Sequence, residues 1–402
     1  MQLNNKHSKL KIAQVIDVYE FATNGATIST QRFTDLLRKN GHKVIVISTG
    51  NPADDKIVMR EYYPPTSYAR GILKRMKFVF AVPDKKLLQN TIKEVDIVHN
   101  QMPFLLGLSA IRIAKELGKP VVSSFHVQGE QITYNGGLRQ KFWTRLAYSY
   151  FIRFIYNRSD IVICPSPFAE REIKRYGLTQ PTVVISNGVP RDYKMIPLPK
   201  RYPDKFTLLT VGRNATEKRQ ELLIRAVAAS RFKDQIQLII LGDGPLRSHL
   251  ESLSRELLNG RVEFNLLPTN KVIEYYNSVD LYVHAAEVEV ECMTAIEAMA
   301  CGLPLLIAES ELSATKQFSL NDKHLFRTIG DLREKIDYWF THREELEQSK
   351  KEYLEFSKQY DIEKSYQKLE SVYYEVLEKN NRNTKAIGST QQELSPTQTT
   401  SV

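Results

Sequence analysis

The chain has 402 residues, of which 42% are apolar and 25% are charged, and its formal net charge is +10. This is ordinary globular composition, long enough for two domains, and the excess of Lys and Arg favours an anionic partner such as nucleic acid, a membrane surface or a phosphorylated substrate. Three cysteines without a CxxC pair argue against a disulfide framework or a zinc site and favour a reducing compartment.

The chain opens with a polar segment, residues 1–10, that leads directly into a strand-like run. This segment has neither the apolar core nor the small-residue cleavage site of a signal peptide, and residues 1–8 are predicted to be flexible. No apolar run reaches the roughly 18–20 residues that a membrane-spanning helix needs. We therefore expect a cytoplasmic protein that contacts a membrane only peripherally.

Residues 9–189 alternate short apolar runs with helical patterns, which indicates βαβ units and a parallel sheet. Continuous Val, Ile and Leu character is typical of strands covered on both faces. The pattern predicts an N-terminal Rossmann-like domain. Its predicted strands are Lys11–Val18, Lys43–Ser48, Asp96–His99, Pro120–Phe125, Ile161–Pro165 and Thr182–Ser186.

Two positions in this domain could meet a ligand. Gly25 lies in the loop TNGAT, residues 23–27, which opens a helix whose N-terminus could accept a phosphate. His126 ends the run VVSSFH, at the sheet edge where cleft residues lie. A single glycine is often needed for steric reasons alone and a single histidine is often structural, so both alternatives stay open. We interpret His284, on a later strand, as structural.

Two groups of cations in this domain point to an anionic surface. No acidic residue occurs between Glu130 and Asp160, where cations alternate with aromatic side chains, and a second basic run spans residues 70–80. This pattern suits an anionic bilayer, where each cation contributes about 1 kcal/mol. The alternative is a mostly buried crossover helix whose cations only solvate its outer face. The predicted membrane-binding residues are Arg70, Lys74, Arg75, Lys77, Arg139, Lys141, Trp143 and Arg145.

Residues 190–205 are rich in proline and charge and are predicted to link this domain to a second one, residues 206–342. Residues 343–379 are predicted to form helices that pack back across the domains, and residues 380–402 to be disordered. The predicted fold class is therefore α/β, with two doubly wound domains facing a cleft. The predicted strands of the second domain are Phe206–Val211, Gln237–Leu241, Arg261–Phe264, Leu281–Ala286 and Pro304–Ala308.

The segment VGRNATEK, residues 211–218, follows the first strand of the second domain. Arg213 and Lys218 lie five positions apart across this strand-to-helix turn, so both can point into the cleft. A guanidinium fork and an ammonium together would neutralise a diphosphate leaving group. The alternative for such a pair is a solvated basic loop. The later turn GDGP, residues 242–245, needs only a structural explanation.

The segment EVECMTAIEAMACGLP, residues 289–304, places two glutamates eight positions apart around the start of a predicted helix, Thr294–Ala300. Glu289 precedes the helix and Glu297 lies about one turn inside it. Helix N-termini present unpaired N–H groups and partial positive charge, which suit a phosphate or sugar hydroxyls. A ligand with several hydroxyls would use both carboxylates.

Taken in order, GR…EK (212–218), E-x7-E (289–297) and AMACGLP (298–304) resemble the retaining glycosyltransferases of the GT-B fold, of the family 4 type. The resemblance covers roughly residues 9–379. In particular, the chain resembles the branch that glycosylates membrane lipids, such as the diacylglycerol glucosyltransferases of bacteria, on FHVQGEQITYN (125–135) and ESELSAT (309–315).

The resemblance implies roles for the matched residues. Arg213 and Lys218 would hold the diphosphate of a nucleotide sugar, and Glu297 would accept hydrogen bonds from the ribose. Glu289 and the amides after it would position the transferred sugar. The implied catalytic set is Arg213, Lys218, Glu289 and His126, and the implied substrate-binding set is Gly25, Glu297, Glu291, Cys292, Met293 and Gly212.

The resemblance also implies that Gly25 lets the first helix approach the phosphate and that His126 contacts the donor sugar. No metal and no cofactor are expected, because cations and helix dipoles stabilise the leaving charge. The chain departs from the family at Glu291 and Cys292, where relatives usually have Phe-Gly or Gln-Gly, and at Ala26, where many have glycine. An extra carboxylate could alter which sugar is recognised.

The sequence therefore predicts an enzyme at the inner face of the cell membrane that moves glucose or galactose from a UDP-sugar to diacylglycerol or ceramide, with retained α configuration. In the expected mechanism the acceptor attacks the face that the diphosphate leaves, and the departing phosphate oxygen helps to remove its proton. One alternative is a transferase of surface polysaccharide or glycoprotein glycan synthesis, and another is an inactive GT-B protein that binds membrane. A nucleic-acid-binding protein is disfavoured because no such fold motif occurs.

Overall fold

A computed structural model describes residues 8–20 and 24–393 of the chain. The predicted flexible segment, residues 1–8, lies outside the described residues except for its last position. The first residue of the glycine loop, Thr23, also lies outside them.

The N-terminal half alternates strands and helices. Its elements are β1 (Lys11–Val15), α1 (Gly25–Lys39), β2 (Lys43–Ser48), β3 (Lys56–Val58), β4 (Arg60–Tyr62), α2 (Ser67–Arg75), β5 (Phe80–Val82), α3 (Lys85–Lys93), β6 (Ile97–Asn100), α4 (Leu105–Glu116), β7 (Val121–Ser124), α5 (Gly129–Asn135), α6 (Lys141–Phe154), β8 (Ile161–Cys164), α7 (Pro167–Arg175) and β9 (Thr182–Val184). Seven strands form one parallel sheet in the order β3-β2-β1-β6-β7-β8-β9, and β4 pairs antiparallel with β5.

The C-terminal half repeats the pattern. Its elements are β10 (Phe206–Val211), α8 (Gln220–Ala229), β11 (Ile236–Leu241), α9 (Arg247–Leu258), β12 (Val262–Asn265), α10 (Thr269–Tyr276), β13 (Leu281–His284), α11 (Met293–Ala300), β14 (Leu305–Ala308), β15 (Leu325–Phe326), α12 (Ile329–Thr341), α13 (Arg343–Ser357) and α14 (Ile362–Glu393). Six strands form a second parallel sheet in the order β12-β11-β10-β13-β14-β15.

These two open parallel sheets, each covered by helices, confirm the predicted α/β fold class. Every predicted strand is present, with its ends displaced by at most three residues. The sequence patterns did not predict β3, β4, β5 and β15, which have only two or three residues each. A strand that short shows no alternation from which it could be recognised.

Alternating side chains of β1 enter two different cores, as expected for a strand covered on both faces. Ala13 and Val15 belong to the core beneath α3 and α4, whereas Ile12 belongs to a core that includes residues of α14. Central strands of this kind place their carboxyl ends at one edge of the sheet, and the loops that leave this edge face the second domain.

The last helix, α14, crosses back from the second domain and packs on the first sheet. Tyr366, Leu369, Tyr373 and Val376 are buried against this sheet at helical spacing. The helix continues to Glu393, so the prediction of disorder is wrong for residues 380–393, and residues 394–402 lie outside the described residues. A helix that is anchored by packing extends readily, because each added residue forms a hydrogen bond without a new nucleation step.

Candidate active site

The loops at the carboxyl ends of the two sheets enclose a cavity of about 530 Å³ between the domains. All ten residues predicted to be catalytic or substrate-binding line this one cavity. They are Gly25, His126, Gly212, Arg213, Lys218, Glu289, Glu291, Cys292, Met293 and Glu297. The structure therefore brings together residues as far apart in the sequence as Gly25 and Glu297, which are separated by 297 − 25 = 272 positions. The roles of the individual residues stay predictions.

The basic turn after β10 carries two cations, each held by a carboxylate. Arg213 Nη2 donates to Glu217 Oε1 at 2.8 Å, and Lys218 Nζ forms an ion pair with Glu289 Oε1. Burial acts to lower the pKa of Lys218, but Glu289 and Glu217 outweigh burial, so the pKa is raised and the ammonium stays charged. The Arg213 Nε–H is buried with no partner in the described part of the chain. Donors thus remain for an anion in the cavity.

The GDGP turn supports this basic turn through backbone contact. Gly242 has φ +140°, and a Cβ there would lie 2.0 Å from the carbonyl oxygen of Gly212. A side chain at this position would displace the loop that carries Arg213. The structural interpretation of the turn is consistent with this packing, although Asp243 also lines the cavity.

Glu289 lies between β13 and α11, where it contacts two basic side chains. Besides Lys218, its Oε1 lies 3.1 Å from His284 Nε2. Burial would raise the pKa of Glu289, but Lys218 and His284 outweigh burial and lower it to about 2. Burial would likewise lower the pKa of His284, whereas Cys292 and Glu289 raise it to about 9.

The sequence analysis interprets His284 as structural, and in the structure it is buried beside Glu289 and Cys292. Nε2 of the His284 ring lies 3.4 Å from Cys292 Sγ. The position of His284 at the carboxyl end of β13 could have indicated this placement, because that end of the strand leads into the segment that carries Glu289 and Cys292. Cys292 has φ +92°, a left-handed conformation that a residue with a side chain rarely adopts.

Glu297 is held inside α11 by a residue from the other domain. Arg32 Nη2 donates to Glu297 Oε1 at 2.6 Å, and Tyr276 OH donates to Oε2 at 3.2 Å. Both ionic side chains are about nine-tenths buried. Arg32, on α1, was not predicted as a site residue, because its partner is 265 positions away. The carboxylate predicted to bind ribose is therefore also a contact between the domains.

Glu291 is a second carboxylate that crosses the cleft. Its Oε2 accepts from Asn187 N at 2.9 Å and from Asn187 Nδ2 at 2.7 Å, and Asn187 in turn is bonded to Ser29 of α1 at 2.6 Å. Its Oε1 is buried and has no partner within the residues that the structure describes. Burial raises the pKa of Glu291 to about 7. The segment ISNGV, residues 185–189, which follows β9, thus contributes Asn187, a residue that is not among the predicted site residues.

The first domain contributes the start of α1 to the cavity. Asn24 caps this helix by accepting from Thr27 N at 2.8 Å, and the first turn, GATI, carries no acidic residue. The partial positive charge of the helix is therefore not neutralised locally. A Cβ at Gly25 would lie 3.6 Å from Met293 Sδ of the second domain. The two domains approach closely at this point.

His126 faces the cavity as a neutral imidazole. Burial lowers its pKa to about 4. His126 Nε2 lies 3.0 Å from Gln101 Oε1, while Gln101 Nε2 donates to Gln14 Oε1 at 2.7 Å. Because an amide oxygen can only accept, Nε2 of His126 must carry the proton, which leaves Nδ1 as an acceptor.

The opposite wall of the cavity is mostly apolar. Phe78, Phe80 and Phe104 pack edge to face, with ring centroids 5.2 to 5.4 Å apart. Further apolar lining comes from Ile28, Pro64, Ala69, Ile72, Leu73, Met76, Met102, Val127 and Ile132. A single cavity thus combines a charged wall with a wall that suits hydrocarbon.

The predicted membrane-binding residues fall into two groups. Arg70, Lys74 and Arg75 lie on α2, next to the apolar wall, and Arg75 also lines the cavity. Lys77 instead reaches across the cleft, with Nζ 3.3 Å from Asp243 Oδ2. Lys77 is therefore paired with the second domain rather than presented to an outer surface.

The second group lies on and before α6. Its buried side consists of Thr144, Tyr148, Phe151 and Ile152, while Phe142 is 65% exposed and Leu146 is 52% exposed. The exposed side also carries Trp143 together with Arg139, Lys141 and Arg145. The outer face of this helix therefore presents apolar side chains as well as cations. Among the described residues, no helix combines the length and the apolar character needed to cross a bilayer.

Comparison with known sequences divides the chain at the linker. Residues 23–193 match the model of Glycosyltransferase Family 4, and residues 196–354 match that of Glycosyl transferases group 1. A GDP-mannose-dependent alpha-mannosyltransferase of Mycolicibacterium smegmatis is 30% identical over 322 residues, covering 75% of this chain and 80% of the relative. Alpha-monoglucosyldiacylglycerol synthase of Streptococcus pneumoniae is 24% identical over 315 residues, covering 74% of this chain and 70% of the relative.

Solved structures show the same fold at low sequence identity. Anabaena Alr3699/HepE, in complex with UDP-glucose, superposes with a TM-score of 0.72 at 16% identity and covers 91% of this chain and 100% of its own. Sucrose-phosphate synthase from Thermosynechococcus elongatus has a TM-score of 0.72 at 18% identity, with 92% and 99% covered. At such identities the likeness concerns the fold alone.

Proposed function

Because this chain belongs to the GT-B glycosyltransferases of the family 4 type, we propose that it transfers a hexose from a UDP-sugar to a hydroxyl of a membrane lipid. The donor is UDP-glucose or UDP-galactose, and the acceptor is diacylglycerol or ceramide. The product is a glycolipid in which the α configuration of the donor is retained. Neither a metal nor a cofactor takes part in the transfer.

The observation that carries this proposal is the two-sided cavity. Its second-domain wall presents Arg213, Lys218 and three glutamates, whereas most of the residues that line its first-domain wall are aromatic or aliphatic. A glycan acceptor would need polar groups along its whole length, because each hydroxyl that loses water requires a hydrogen-bond partner. An acyl chain needs only apolar area. The lining therefore favours a lipid over a sugar polymer as acceptor.

The charges on the donor side support binding of a diphosphate. Arg213 and Lys218 are each balanced by one carboxylate, Glu217 and Glu289, so the pairs alone are neutral. The carboxylates orient the two cations, but each cation keeps further N–H groups that a phosphate oxygen could accept from. The un-neutralised N-terminus of α1 lies on the other side of the same cavity. A diphosphate between these groups would gain hydrogen bonds from both domains.

The same groups support catalysis by stabilisation of the leaving group. Negative charge grows on the diphosphate as the glycosidic bond breaks, and fixed cations in a partly buried site stabilise this charge. The acceptor hydroxyl attacks the face that the diphosphate leaves, and the departing phosphate oxygen takes its proton. His126, neutral and held by Gln101, offers Nδ1 as an acceptor for a hydroxyl of the transferred sugar.

The names of the relatives support a lipid acceptor and leave a second donor to be tested. They include an alpha-monoglucosyldiacylglycerol synthase, whose name contains a lipid, and also GDP-mannose-dependent mannosyltransferases, whose names give a different donor. The exposed Phe142, Trp143 and Leu146, with cations beside them, supply a surface that suits an anionic bilayer. We propose that this surface holds the enzyme at the cytoplasmic face of the membrane.

The transfer is tested by incubating purified protein with radiolabelled UDP-glucose, UDP-galactose or GDP-mannose and vesicles that contain diacylglycerol or ceramide. Labelled lipid from a UDP-sugar, cleaved by an α-glycosidase and resistant to a β-glycosidase, is the expected result. Label on soluble oligosaccharide acceptors alone would favour the polysaccharide or glycan alternative. Absence of transfer from all three donors would favour the inactive membrane-binding alternative.

Membrane association is tested separately by vesicle sedimentation. Each cation near an anionic surface contributes about 1 kcal/mol of electrostatic attraction, and dissolved salt screens this attraction. Binding to anionic vesicles should therefore weaken as the salt concentration is raised. Replacing Phe142 and Leu146 by Ser should weaken binding, whereas Met195→Ser, which changes an apolar residue that is 60% exposed on the linker, should not. Equal effects of both changes would contradict a specific membrane surface on α6.

A further inference from the structure

Two glutamines are buried in the first domain, where its central strands end. Gln14 on β1 is 0% exposed, and Gln101, which follows β6, is 3% exposed. Glutamine is mostly exposed in proteins, and burying an amide is costly unless its N–H and C=O groups have hydrogen-bond partners. The partners of these two amides therefore indicate why the sequence keeps them inside the domain.

The two amides belong to a network of hydrogen bonds that begins at the cavity. His126, which lines the cavity, donates from Nε2 to Gln101 Oε1 at 3.0 Å, and Gln101 Nε2 donates to Gln14 Oε1 at 2.7 Å. Gln14 Nε2 donates in turn to the hydroxyl of Tyr373 at 3.4 Å, the longest of these contacts. Tyr373 lies on α14, so the network joins the cavity to the helix that packs on the first sheet.

Beyond Tyr373 the network continues to two further buried side chains. The Tyr373 hydroxyl lies 2.7 Å from His99 Nδ1, and His99 Nε2 lies 2.8 Å from Ser124 Oγ. Burial lowers the pKa of His99 to about 3, so its ring is neutral and carries one proton. Because the Tyr373 oxygen accepts from Gln14, the Tyr373 proton is free for His99 Nδ1, and the proton of His99 then lies on Nε2.

All donors of the network point in one direction, and this direction fixes the orientation of each amide. Turning the Gln101 amide alone would set its N–H groups against the Nε2–H of His126 and its oxygen against the oxygen of Gln14. Both contacts would be repulsive, so the groups can reverse only together. While the network keeps its direction, His126 carries its proton on Nε2. Its Nδ1 has no hydrogen-bond partner among the described residues and stays an acceptor.

We propose that Gln101 and Gln14 are positioning residues for His126. They hold its ring in one orientation, with the proton on Nε2 and with Nδ1 as the acceptor for a hydroxyl of the transferred sugar. Neither glutamine lines the cavity, so both act on the sugar through His126 and not by contact. The use of Nδ1 rests on the proposed function, whereas the hold on the ring is a property of the protein without a ligand.

The hold on the ring is tested by NMR of the full chain, with its histidine rings labelled with nitrogen-15 and with no donor present. The chain has eight histidines, and the signal of His126 is the one that His126→Ala removes. In wild type we expect a proton on Nε2 and none on Nδ1. In Gln101→Leu, which removes the acceptor, the Nε2 proton should exchange with water and its signal should be lost. A proton on Nδ1 in wild type, or an unchanged signal in Gln101→Leu, would overturn the proposal.

The effect on the donor is tested by calorimetry with UDP-glucose, with UDP-galactose and with UDP, which lacks the sugar. Loss of one hydrogen bond between neutral groups weakens binding by roughly two- to tenfold. Gln101→Leu should therefore weaken binding of the UDP-sugar by about this factor and leave binding of UDP unchanged. A merely structural role of Gln101 would lower both affinities equally, and this result would also overturn the proposal.

Two further variants test the same network if circular dichroism shows that Gln101→Leu is not folded. Gln14→Leu removes the next contact, and Tyr373→Phe removes the hydroxyl at the longest contact. Both should act on the His126 signal and on UDP-sugar binding in the same direction as Gln101→Leu, and Tyr373→Phe should have the smallest effect. An unchanged His126 signal in Gln14→Leu would contradict the proposal.

The matched control is Tyr353→Phe in the second domain. Tyr353 is also buried on a helix, α13, and its hydroxyl donates to the carbonyl oxygen of Leu305 at 3.4 Å. This variant should leave the His126 signal and all affinities unchanged, and an effect equal to that of Tyr373→Phe would count against the network. A protein that shows the expected His126 signal but binds no UDP-sugar would remove the proposed function and leave the hold on the ring standing.

Discussion

Replacing Lys218 by Ala separates the structural role of its ion pair from its role in transfer. The Lys218 side chain is 19% exposed and that of Glu289 is 9% exposed. Two opposite charges in contact at an effective dielectric constant near 20 attract by about 4 kcal/mol. Removing one partner also leaves the other charge buried, a loss of about 3–5 kcal/mol in comparable pairs. His284 remains 3.1 Å from Glu289 and compensates in part, so we expect a loss near 3 kcal/mol.

The matched variant is the double change Lys218→Ala with Glu289→Gln, which removes the orphaned charge as well. Urea unfolding should show that most of the lost stability returns in the double variant. Transfer should not return with it, because both variants lack a donor to the diphosphate, and we expect rates roughly 100- to 1,000-fold below wild type. The reasoning is refuted if Lys218→Ala is as stable as wild type, or if the folded double variant transfers sugar at a near-normal rate.

Three further changes test individual contacts. Burial raises the pKa of Glu291 to about 7 from 4.5 in the unfolded chain, so the folded state holds a proton that the unfolded state loses, and stability falls as pH rises between these values. The free energy of unfolding of Glu291→Gln, measured in urea, should therefore rise relative to that of wild type between about pH 5 and about pH 8. A difference between the two proteins that does not change with pH would count against this reasoning. Arg32→Ala should lower the free energy of unfolding, measured by thermal melting, by about 3 kcal/mol, because its ion pair with Glu297 is buried. Lys77→Ala should lower it by less than about 1 kcal/mol, because the ion pair of Lys77 is over one-third exposed. Similar losses in the two variants would contradict this dependence on burial. Gly242→Ala should lower the affinity for the sugar donor, measured by calorimetry, because its Cβ would clash with the loop that carries Arg213. The control is Gly71→Ala, whose Cβ would make only ordinary contacts and which should leave the affinity unchanged. An unchanged affinity in Gly242→Ala would contradict the predicted clash.

Local patterns in the sequence predicted the sheets because covered strands need continuous apolar residues. The runs at Phe206–Val211 and Lys43–Ser48 match their strands residue for residue. The same reasoning did not find the two-residue strand Leu325–Phe326, whose pairing depends on a neighbour rather than on its own sequence. It also missed the continuation of the last helix to Glu393, which extends past the residues that pack on the first sheet.

The predicted site residues share one cavity because each lies either in the loop at the carboxyl end of a parallel strand or near the start of the helix that follows, and these segments meet at one edge of the sheet. Partners of those residues were harder to predict. Arg32 and Asn187 contact Glu297 and Glu291 over separations of 265 and 104 positions. Arg32 belongs to no pattern that marks it in the sequence, and Asn187 lies in the segment ISNGV (185–189), for which no contact with ligand or with the other domain was predicted. Only the approach of the two domains reveals the contact.

These same partners indicate how donor binding and closure of the cleft are coupled. Glu297 and Glu291 belong to the second domain, and both are held by groups of the first, Arg32 directly and Asn187 with Ser29 behind it. Opening the cleft would leave buried carboxylates without these partners, which is costly. A donor whose ribose binds Glu297 must therefore share that carboxylate with Arg32 or replace it. The contact between the domains, from Arg32, and the proposed contact to the ribose both use the carboxylate of Glu297. A change that strengthens one of these two contacts therefore changes the free energy of the other.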